Sequence, residues 1–272
     1  MKINVITLCS GYDAMVLALK RLRRDYPDKF DFDLLAWSEI DTYACAAHDA
    51  LHPEFADRAV GDMTKVDWRR WSEERGNPQI DCLIYSTPCQ SVSTAGKQKG
   101  MKKGDDAASA LIWHTEKAIE VLRPKWLLLE NVKGMVNKRN RPDFDQWCAV
   151  LESYGYTNFW QVLNASGFGC PQNRERIFMV SILGEAAFEF PKPFPLSKRL
   201  RDVLEDNVPE EYYLRPEQVE RILAHCGRKQ AEGCGFKSNF QESGGVFGTI
   251  TTMYGQRQTD TYLKVNETDN PD

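Results

Sequence analysis

A cysteine follows a proline at the point where a predicted buried strand ends. The strand reads IDCLIYS, residues 80–86, and Pro88 and Cys89 come just before a loop of small, polar and basic residues. A free cysteine is usually a small buried hydrophobe, whereas an accessible thiol that loses its proton is a nucleophile. Because Cys89 stands between a strand end and an open loop, its position predicts nucleophilic chemistry.

A carboxylate closes another apolar strand. Glu130 lies near the end of the run PKWLLLENV, residues 124–132. An acidic residue at such a position usually points into the cleft above a sheet, where partial burial lets it act as a proton donor. The alternative is a structural carboxylate that accepts hydrogen bonds from backbone N–H groups. The sequence pattern leaves both open.

A glutamine and two arginines alternate further along the chain. Gln172, Arg174 and Arg176 occupy every second position in CPQNRERIF, at the start of a predicted strand. Alternate residues of a strand point to one face, so the pattern predicts three polar side chains side by side. Two guanidinium groups on one face suit an anion or the electron-rich edge of a base, and salt-bridged surface arginines are the alternative.

A further set of residues could hold a nucleoside. The turn CSGYD, residues 9–13, places Gly11 after the first strand, Glu39 follows the second strand, and Asp62 follows the short apolar stretch RAV. A glycine turn exposes backbone N–H groups, and acidic side chains at strand ends accept hydrogen bonds from ribose hydroxyls or an amine. An ordinary turn, a solvated strand end and a helix cap are the alternatives. The absence of a GxGxxG pattern disfavours a nicotinamide dinucleotide.

All of these residues belong to one α/β pattern. Near-continuous apolar strands alternate with helical segments, which predicts a Rossmann-like fold, a mostly parallel sheet with helices on both faces. Such sheets bind ligands at the carboxyl ends of their strands, where the residues above stand. The predicted strands cover 3–8, 32–40, 80–86, 124–132, 157–165 and 176–183, and the predicted helices cover 14–22, 42–51, 109–122 and 144–155.

The composition changes near Phe190. The segment FPKPFPLSKRLRDVL is rich in proline and basic residues, which is typical of a linker. We therefore expect a large α/β domain over residues 1–190, and a linker with a smaller region over residues 191–272. The 272 residues suit this arrangement.

The formal net charge of −4 gives no general attraction for nucleic acid. Binding to nucleic acid therefore needs local basic strips, for which the loop after Cys89 offers Lys97, Lys99, Lys102 and Lys103.

The location and the state of the cysteines follow from the same composition. No apolar run reaches the roughly 20 residues that cross a bilayer, and no signal peptide precedes the first strand, so we expect a cytosolic protein. Its eight cysteines are then expected to be reduced, with Cys45, Cys82 and Cys148 in the core. No paired CxxC motifs are present, so no metal site is expected.

The ordered motifs PCQ, ENV and QNRER resemble those of the cytosine-5 DNA methyltransferase family of bacteria and phages. SEID and GDM precede them, and the resemblance runs from about residue 3 to residue 183. Each triplet alone is a weak signal, but their shared order and spacing in one α/β chain are specific. The segment LRDVLEDNVPEEYYL further resembles the lead-in to that family's target recognition domain.

The resemblance implies S-adenosylmethionine as methyl donor and a cytosine flipped out of double-stranded DNA as acceptor. It implies that the Cys89 thiolate attacks C6 of the base, and that Glu130 holds and protonates N3. Arg174 and Arg176 would brace the base and the intermediate.

The resemblance also assigns residues to the cofactor and to DNA. Glu39 would bind the ribose, Asp62 the adenine amine, and Ile40 and Met63 would pack on the adenine. The implied cofactor contacts are Cys9, Ser10, Gly11, Tyr12, Asp13, Glu39, Ile40, Asp62, Met63, Pro88 and Leu111, and the implied contacts to DNA or the base are Gln90, Ser93 and Gln172.

Two departures from the family pattern bear on these expectations. The first motif usually reads Phe-x-Gly-x-Gly, whereas here Cys9 replaces the aromatic residue and Asp13 the second glycine, which would add negative charge near a cationic cofactor. The family's last two motifs have no match before Asp272, so we expect either a truncated chain or a second polypeptide that supplies them.

Three other functions stay open at this point. One subgroup of the family methylates transfer RNA, and a non-catalytic or decayed subunit would also explain the unmatched motifs. The presence of Cys89, Glu130 and Arg176 together argues against decay. A nicotinamide-dependent oxidoreductase is the remaining alternative, and it gives no role to Cys89.

Overall fold

The computed structural model describes residues 1–89, 92, 100–104, 108–233, 239–250 and 261–264. The chain divides into two compact units. The first comprises Met1–Val162 and Arg176–Phe190, and the second comprises Leu163–Glu175 and Pro191–Asp272. The chain thus changes unit at Phe190, and residues 163–175, which the sequence analysis includes in the first domain, belong to the second unit.

The first unit is built on a six-stranded sheet with the order β2-β1-β3-β4-β6-β5. Neighbouring strands from β2 to β4 are parallel, and β6 runs antiparallel to β4. This confirms the predicted mostly parallel sheet. The strands are β1 Lys2–Leu8, β2 Asp31–Ser38, β3 Cys82–Tyr85, β4 Trp126–Val132, β5 Tyr156–Asn164 and β6 Glu175–Leu183.

Apolar side chains cover both faces of this sheet, because successive residues of a strand point to opposite sides. In β3, Leu83 and Tyr85 belong to one buried cluster and Ile84 to another. In β4, Leu127 and Leu129 join the first cluster, while the partly buried Leu128 packs against the second. The sheet therefore needs cover on both sides, which the helices supply.

The predicted helices of the first unit are confirmed, with ends that move by a few residues. They are α1 Ala14–Asp25, α2 Thr42–Leu51, α4 Ile112–Leu122 and α5 Arg141–Ser153. The short helix α3, Trp68–Glu73, was not predicted. It begins after Asp67, whose side chain accepts hydrogen bonds from the first backbone N–H groups of the helix.

The short apolar stretch RAV, residues 58–60, does not form a strand. A 3-10 helix covers Pro53–Arg58, and Ala59 forms a single parallel bridge to Trp37 of β2.

The second unit contains α6, Pro216–Ala231, and a parallel pair of short strands, β7 Asn239–Gln241 and β8 Thr261–Leu263. Its apolar interior includes Leu200, Ile222 and Cys226. Within the residues that the structure describes, none of the helices combines the length and apolarity needed to span a bilayer.

Candidate active site

The turn between β1 and α1 has an unusual backbone. Cys9, Gly11 and Asp13 all have positive φ, at 53°, 57° and 58°. Glycine adopts this left-handed conformation freely, and aspartate tolerates it better than most other residues. The turn therefore accepts Asp13 where the family pattern has a glycine.

Glu39 at the end of β2 holds this turn. Its Oε2 accepts a hydrogen bond of 2.9 Å from the Gly11 N–H, and its Oε1 accepts bonds of 2.7 and 3.0 Å from the N–H groups of Ile40 and Asp41. The Ile40 side chain is 71% exposed, and Tyr12 is also exposed. The carboxyl ends of β1 and β2 thus form a polar edge with apolar side chains on its open side.

Asp62 lies in a loop tied to the same edge. The Ser38 hydroxyl donates to the Gly61 carbonyl at 2.6 Å, which fixes the loop beside the end of β2. Asp62 accepts hydrogen bonds from the hydroxyl and N–H of Thr64, and these bonds, helped by Lys65, hold the pKa of its carboxyl below the ordinary value. The carboxylate is therefore ionised at neutral pH.

Cys9 lies where these three segments meet. Its Sγ is 3.5 Å from Met63 Sδ. Burial, followed by the negative charges of Glu39 and Asp62, raises the pKa of Cys9 to about 12. Cys9 is therefore a neutral thiol in a site where two carboxylates converge. The structure thus brings together the turn after β1, Glu39 and the loop that carries Asp62 and Met63.

The Asp13 carboxyl does not face this edge. It is buried, accepts a bond of 2.6 Å from the Thr7 hydroxyl and caps α1 by accepting from the Val16 N–H at 3.1 Å. Burial raises the pKa of this carboxyl above its ordinary value. The expected negative charge beside the cofactor is thus directed into the protein, and Asp13 contributes to the site through the shape of the turn.

A buried histidine lies next to the Asp13 cap. The ring of His48 in α2 stacks on Trp37 with centroids 3.8 Å apart, and its Nε2 lies 3.8 Å from Asp13 Oδ2. Neither ring nitrogen has a hydrogen-bond partner among the described residues. Burial, with a smaller effect of His52, lowers the pKa of His48 to about 4, although Asp49 acts in the opposite direction. The ring is therefore neutral at pH 7.

We predict that His48→Phe reduces the acid sensitivity of folding. The ordinary pKa of histidine is 6.5, so between about pH 6.5 and pH 4 the unfolded chain binds a proton that the folded chain does not. The free energy of unfolding therefore falls as the pH drops through this window, by up to ~3 kcal/mol from this residue. Phenylalanine keeps the stack on Trp37 but takes up no proton.

Urea unfolding at pH 7 and pH 4.5 measures this effect. The wild-type chain should lose roughly 2 kcal/mol more than the variant between the two pH values. Asp13, whose raised pKa acts with the opposite sign, is present in both proteins. An equal loss in both proteins contradicts the assignment.

Cys89 follows β3 in a segment that two side chains hold. The half-buried cysteine comes after Thr87, whose carbonyl accepts from Asn131 Nδ2 at 2.9 Å, and Pro88, whose carbonyl accepts from the Ser109 hydroxyl at 2.8 Å. Leu111 ends the same 3-10 helix, Ala108–Leu111, that carries Ser109. The predicted residues Gln90, Ser93, Lys97 and Lys99 lie outside the described residues.

Glu130 is fixed through both of its carboxylate oxygens. The Ser86 hydroxyl lies 2.7 Å from Oε2, and Arg176 Nε lies 3.0 Å from Oε1. The side chains of Glu130 and Arg176 are 19% and 17% exposed. The pair is partly desolvated and still open to a ligand, which suits a group that exchanges a proton.

Gln172, Arg174 and Arg176 alternate in the sequence, and the last of them lies within a strand. Strand β6 begins at Glu175, so only Arg176 is part of it. Gln172 forms a bridge to Phe247, and the Arg174 N–H donates to Asn164 Oδ1 at 3.0 Å, both within the second unit.

Of the predicted phosphate-binding lysines, Lys102 and Lys103 are described, and both are exposed. Lys103 forms an ion pair of 2.7 Å with Glu116 and lies over the ring of Trp113.

Sequence reasoning missed the side chains that hold the reactive residues. Ser86, Ser109 and Asn131 are ordinary polar residues whose partners lie 21 to 44 positions away in the chain. For Ser86 and Asn131 the sequence offers one signal, which is their position at the ends of adjacent parallel strands.

The arrangement combines three chemical groups at one edge of the sheet. A thiol follows β3, a carboxylate with a guanidinium partner lies at the end of the neighbouring β4, and two carboxylates with a tight turn lie at the ends of β1 and β2. Such a site can attack an electrophilic ring with a nucleophile, supply a proton and hold a polar ligand beside it.

Comparison with known proteins matches residues 3–271 to the family of C-5 cytosine-specific DNA methylases. The type II methyltransferase M2.ScrFI of Lactococcus lactis subsp. cremoris is 42% identical over 60% of this chain and 44% of that protein. The orphan methyltransferase M.SssI of Spiroplasma monobiae is 31% identical over 76% of this chain and 60% of that protein. The chain thus spans about half the length of these relatives.

Among solved structures, the S. pombe Dnmt2 methyltransferase superimposes with a TM-score of 0.69. The match covers 98% of this chain and 77% of that chain at 16% sequence identity. At this identity the likeness concerns the fold.

Proposed function

Because the chain belongs to the family of C-5 cytosine-specific DNA methylases, we propose that it transfers a methyl group from S-adenosylmethionine to C5 of cytosine in double-stranded DNA. The observation that carries the proposal is that the ends of β3 and β4 lie side by side in the sheet. The Cys89 segment follows β3, and Glu130 lies near the end of the neighbouring β4. The Thr87–Asn131 and Ser86–Glu130 hydrogen bonds join the two strand ends.

The residues of the β1–β2 edge fit the cofactor. Glu39 and Asp62 supply carboxylates for ribose hydroxyls and an exocyclic amine, and the exposed Ile40 offers an apolar surface for an adenine ring. Cys9 stays neutral at a pKa of about 12, so it does not compete as a thiolate for an activated methyl group. When bound, S-adenosylmethionine supplies an electrophilic methyl group.

Cys89 acts as the nucleophile in the proposed reaction. A cytosine reaches the site only when it is flipped out of the duplex, at a cost of a few kcal/mol. The thiolate Sγ then forms a bond to C6, and the electrons of the C5–C6 double bond move into the ring. C5 becomes nucleophilic and would take the methyl group as the bond between that methyl and the donor sulfur breaks, with the electron pair staying on the departing thioether. Loss of the C5 proton to a base, release of Sγ from C6 as a thiolate and return of the N3 proton to Glu130 restore the aromatic ring.

Glu130 makes the attack possible by neutralising charge at N3. A proton held by its carboxyl bonds to N3 as electrons enter the ring, so the developing negative charge is neutralised. Arg176 holds Oε1 at 3.0 Å and keeps the carboxyl in place while it exchanges this proton. We propose Arg174 and Gln172 as further contacts of the base or DNA, and Gln90, Ser93, Pro88 and Leu111 in the roles that the family resemblance implies.

DNA is the partner that the proposal carries. The family match concerns DNA methylases, and no separate observation favours transfer RNA as the substrate. The comparisons likewise give no support to a second polypeptide.

Transfer of a tritium-labelled methyl group tests the function. We expect label in duplex DNA, recovered as 5-methylcytosine after digestion to nucleosides, and no label in transfer RNA. Duplex DNA with 5-methylcytosine at every cytosine serves as the control, because its acceptor carbon is already blocked. Label in RNA alone, or in no nucleic acid, contradicts the proposal.

A further inference from the structure

We propose that Ser86 is a positioning residue for the reaction, which orients the Glu130 carboxyl and makes Oε2 the oxygen that carries the transferable proton. The inference rests on the proposed function. It adds a side chain to the site that neither the sequence motifs nor the family resemblance assigns.

The position of Ser86 follows from the sheet. Tyr85, the last residue of β3, pairs with Leu129 of β4, so Ser86 lies beside Glu130. The Ser86 N–H donates to the Leu8 carbonyl of β1 at 3.2 Å, which continues the parallel ladder past the end of β3. The backbone therefore fixes the hydroxyl, and its 2.7 Å contact with Oε2 does not depend on a long flexible side chain.

Glu130 meets a different partner on its other side. In β6, Phe178 pairs with Glu130 and Arg176 pairs with Val132, which places the guanidinium diagonally across from the carboxylate. Arg176 Nε reaches Oε1, while the Ser86 hydroxyl reaches Oε2. Each carboxylate oxygen thus has its own partner, one residue just after β3 and one in β6. These two contacts fix the plane of the carboxyl group.

The two neighbours differ in what they can do with a proton. A guanidinium only donates hydrogen bonds and is permanently charged, so Oε1 beside Arg176 is the unfavourable oxygen to protonate. A hydroxyl donates to an ionised Oε2 and can rotate to donate or accept once Oε2 carries a proton. Ser86 therefore remains a partner of Glu130 in both protonation states, and the proton for N3 resides on Oε2.

A set of variants tests this role. We expect Ser86→Ala to lower the single-turnover methylation rate by about 10- to 100-fold with the KM for DNA within about 2-fold, because the group acts on chemistry and not on binding. Because the Ser86 hydroxyl bonds directly to the carboxyl that exchanges the proton, its removal should also change the pH–rate profile. Ser86→Thr keeps the hydroxyl and should restore most of the rate.

Two controls separate this role from a structural one. Ser153→Ala removes a hydroxyl that bonds only locally, to the Val150 carbonyl at the end of α5, and should leave the rate and the pH profile unchanged. In a Glu130→Gln background, Ser86→Ala should cause little further loss, because residues that act through one another are not additive.

A wild-type chain that methylates DNA, together with a Ser86→Ala variant of the same rate and pH profile, overturns the inference and leaves the proposed function standing. Additive losses in the double variant, or a Ser86→Thr variant as impaired as the alanine variant, overturn it as well. A wild-type chain that methylates no cytosine overturns the proposed function and this inference with it.

Discussion

Replacing Cys89 with alanine is expected to abolish methyl transfer to DNA. In the proposed reaction no other side chain forms the bond to C6, and removing the nucleophile from an enzyme that uses covalent catalysis costs on the order of 10⁴-fold or more in rate. The variant should fold normally, because Cys89 is only half-buried and the carbonyls before it keep their bonds from Asn131 and Ser109. Initial rates with labelled cofactor measure the effect.

Cys170→Ala is the matched control for this prediction. Cys170 is a free thiol with an exposed side chain, so its removal tests the general effect of losing a cysteine. It should retain the wild-type rate. A Cys89→Ala variant that methylates DNA within about 10-fold of the wild-type rate contradicts covalent catalysis by this residue.

Glu130→Gln is expected to lower the methylation rate by about 10²- to 10⁴-fold, the usual contribution of a positioned proton donor. The amide has nearly the shape of the carboxyl and can still accept a hydrogen bond from Ser86, but it supplies no acidic proton to N3. Arg176, which is 17% exposed, also loses its ionised partner. The variant should therefore be slower in chemistry and somewhat less stable.

Binding of S-adenosylmethionine provides the control for Glu130→Gln. Glu39 follows β2, which is not a neighbour of β4, and Asp62 lies in the loop bonded to the end of β2. Calorimetric affinity for the cofactor should therefore stay within about 2-fold of the wild-type value. A slow variant that also fails to bind the cofactor points to a disrupted fold. A variant with the wild-type methylation rate removes Glu130 from the mechanism.

Much of this architecture is predictable from the chain because its causes are local. Strands such as β4 are near-continuous apolar runs, and helices such as α2 begin after a capping residue, here Asp41. Ligands of parallel sheets bind at strand ends, so the polar residues after β1, β2, β3 and β4 identify the candidate site before its geometry is known.

What the chain does not reveal depends on contacts between distant residues. The inward direction of the Asp13 carboxyl results from the left-handed turn and the Thr7 hydroxyl. Ser86 meets Glu130 only because β3 and β4 are neighbours in the sheet. The spacing of Gln172 and Arg174 imitates a strand, but both residues precede β6. The backbone groups of Pro171 and Asn173, on either side of Gln172, bond to Phe247, and the Arg174 N–H donates to Asn164 Oδ1.

The central claim is that Cys89 forms a covalent bond to a cytosine in DNA, and trapping on a duplex that contains 5-fluorocytosine tests it most directly. Fluorine at C5 cannot leave as a proton does, so the final elimination is blocked and the enzyme stays attached to its substrate. With S-adenosylmethionine present, we predict a complex that survives denaturant, has the summed mass of chain, DNA and one methyl group, and yields a cross-linked peptide at Cys89. The Cys89→Ala variant should form none. Methylation of ordinary DNA without any trapped complex, or a trapped complex that persists in the Cys89→Ala variant, would contradict the account.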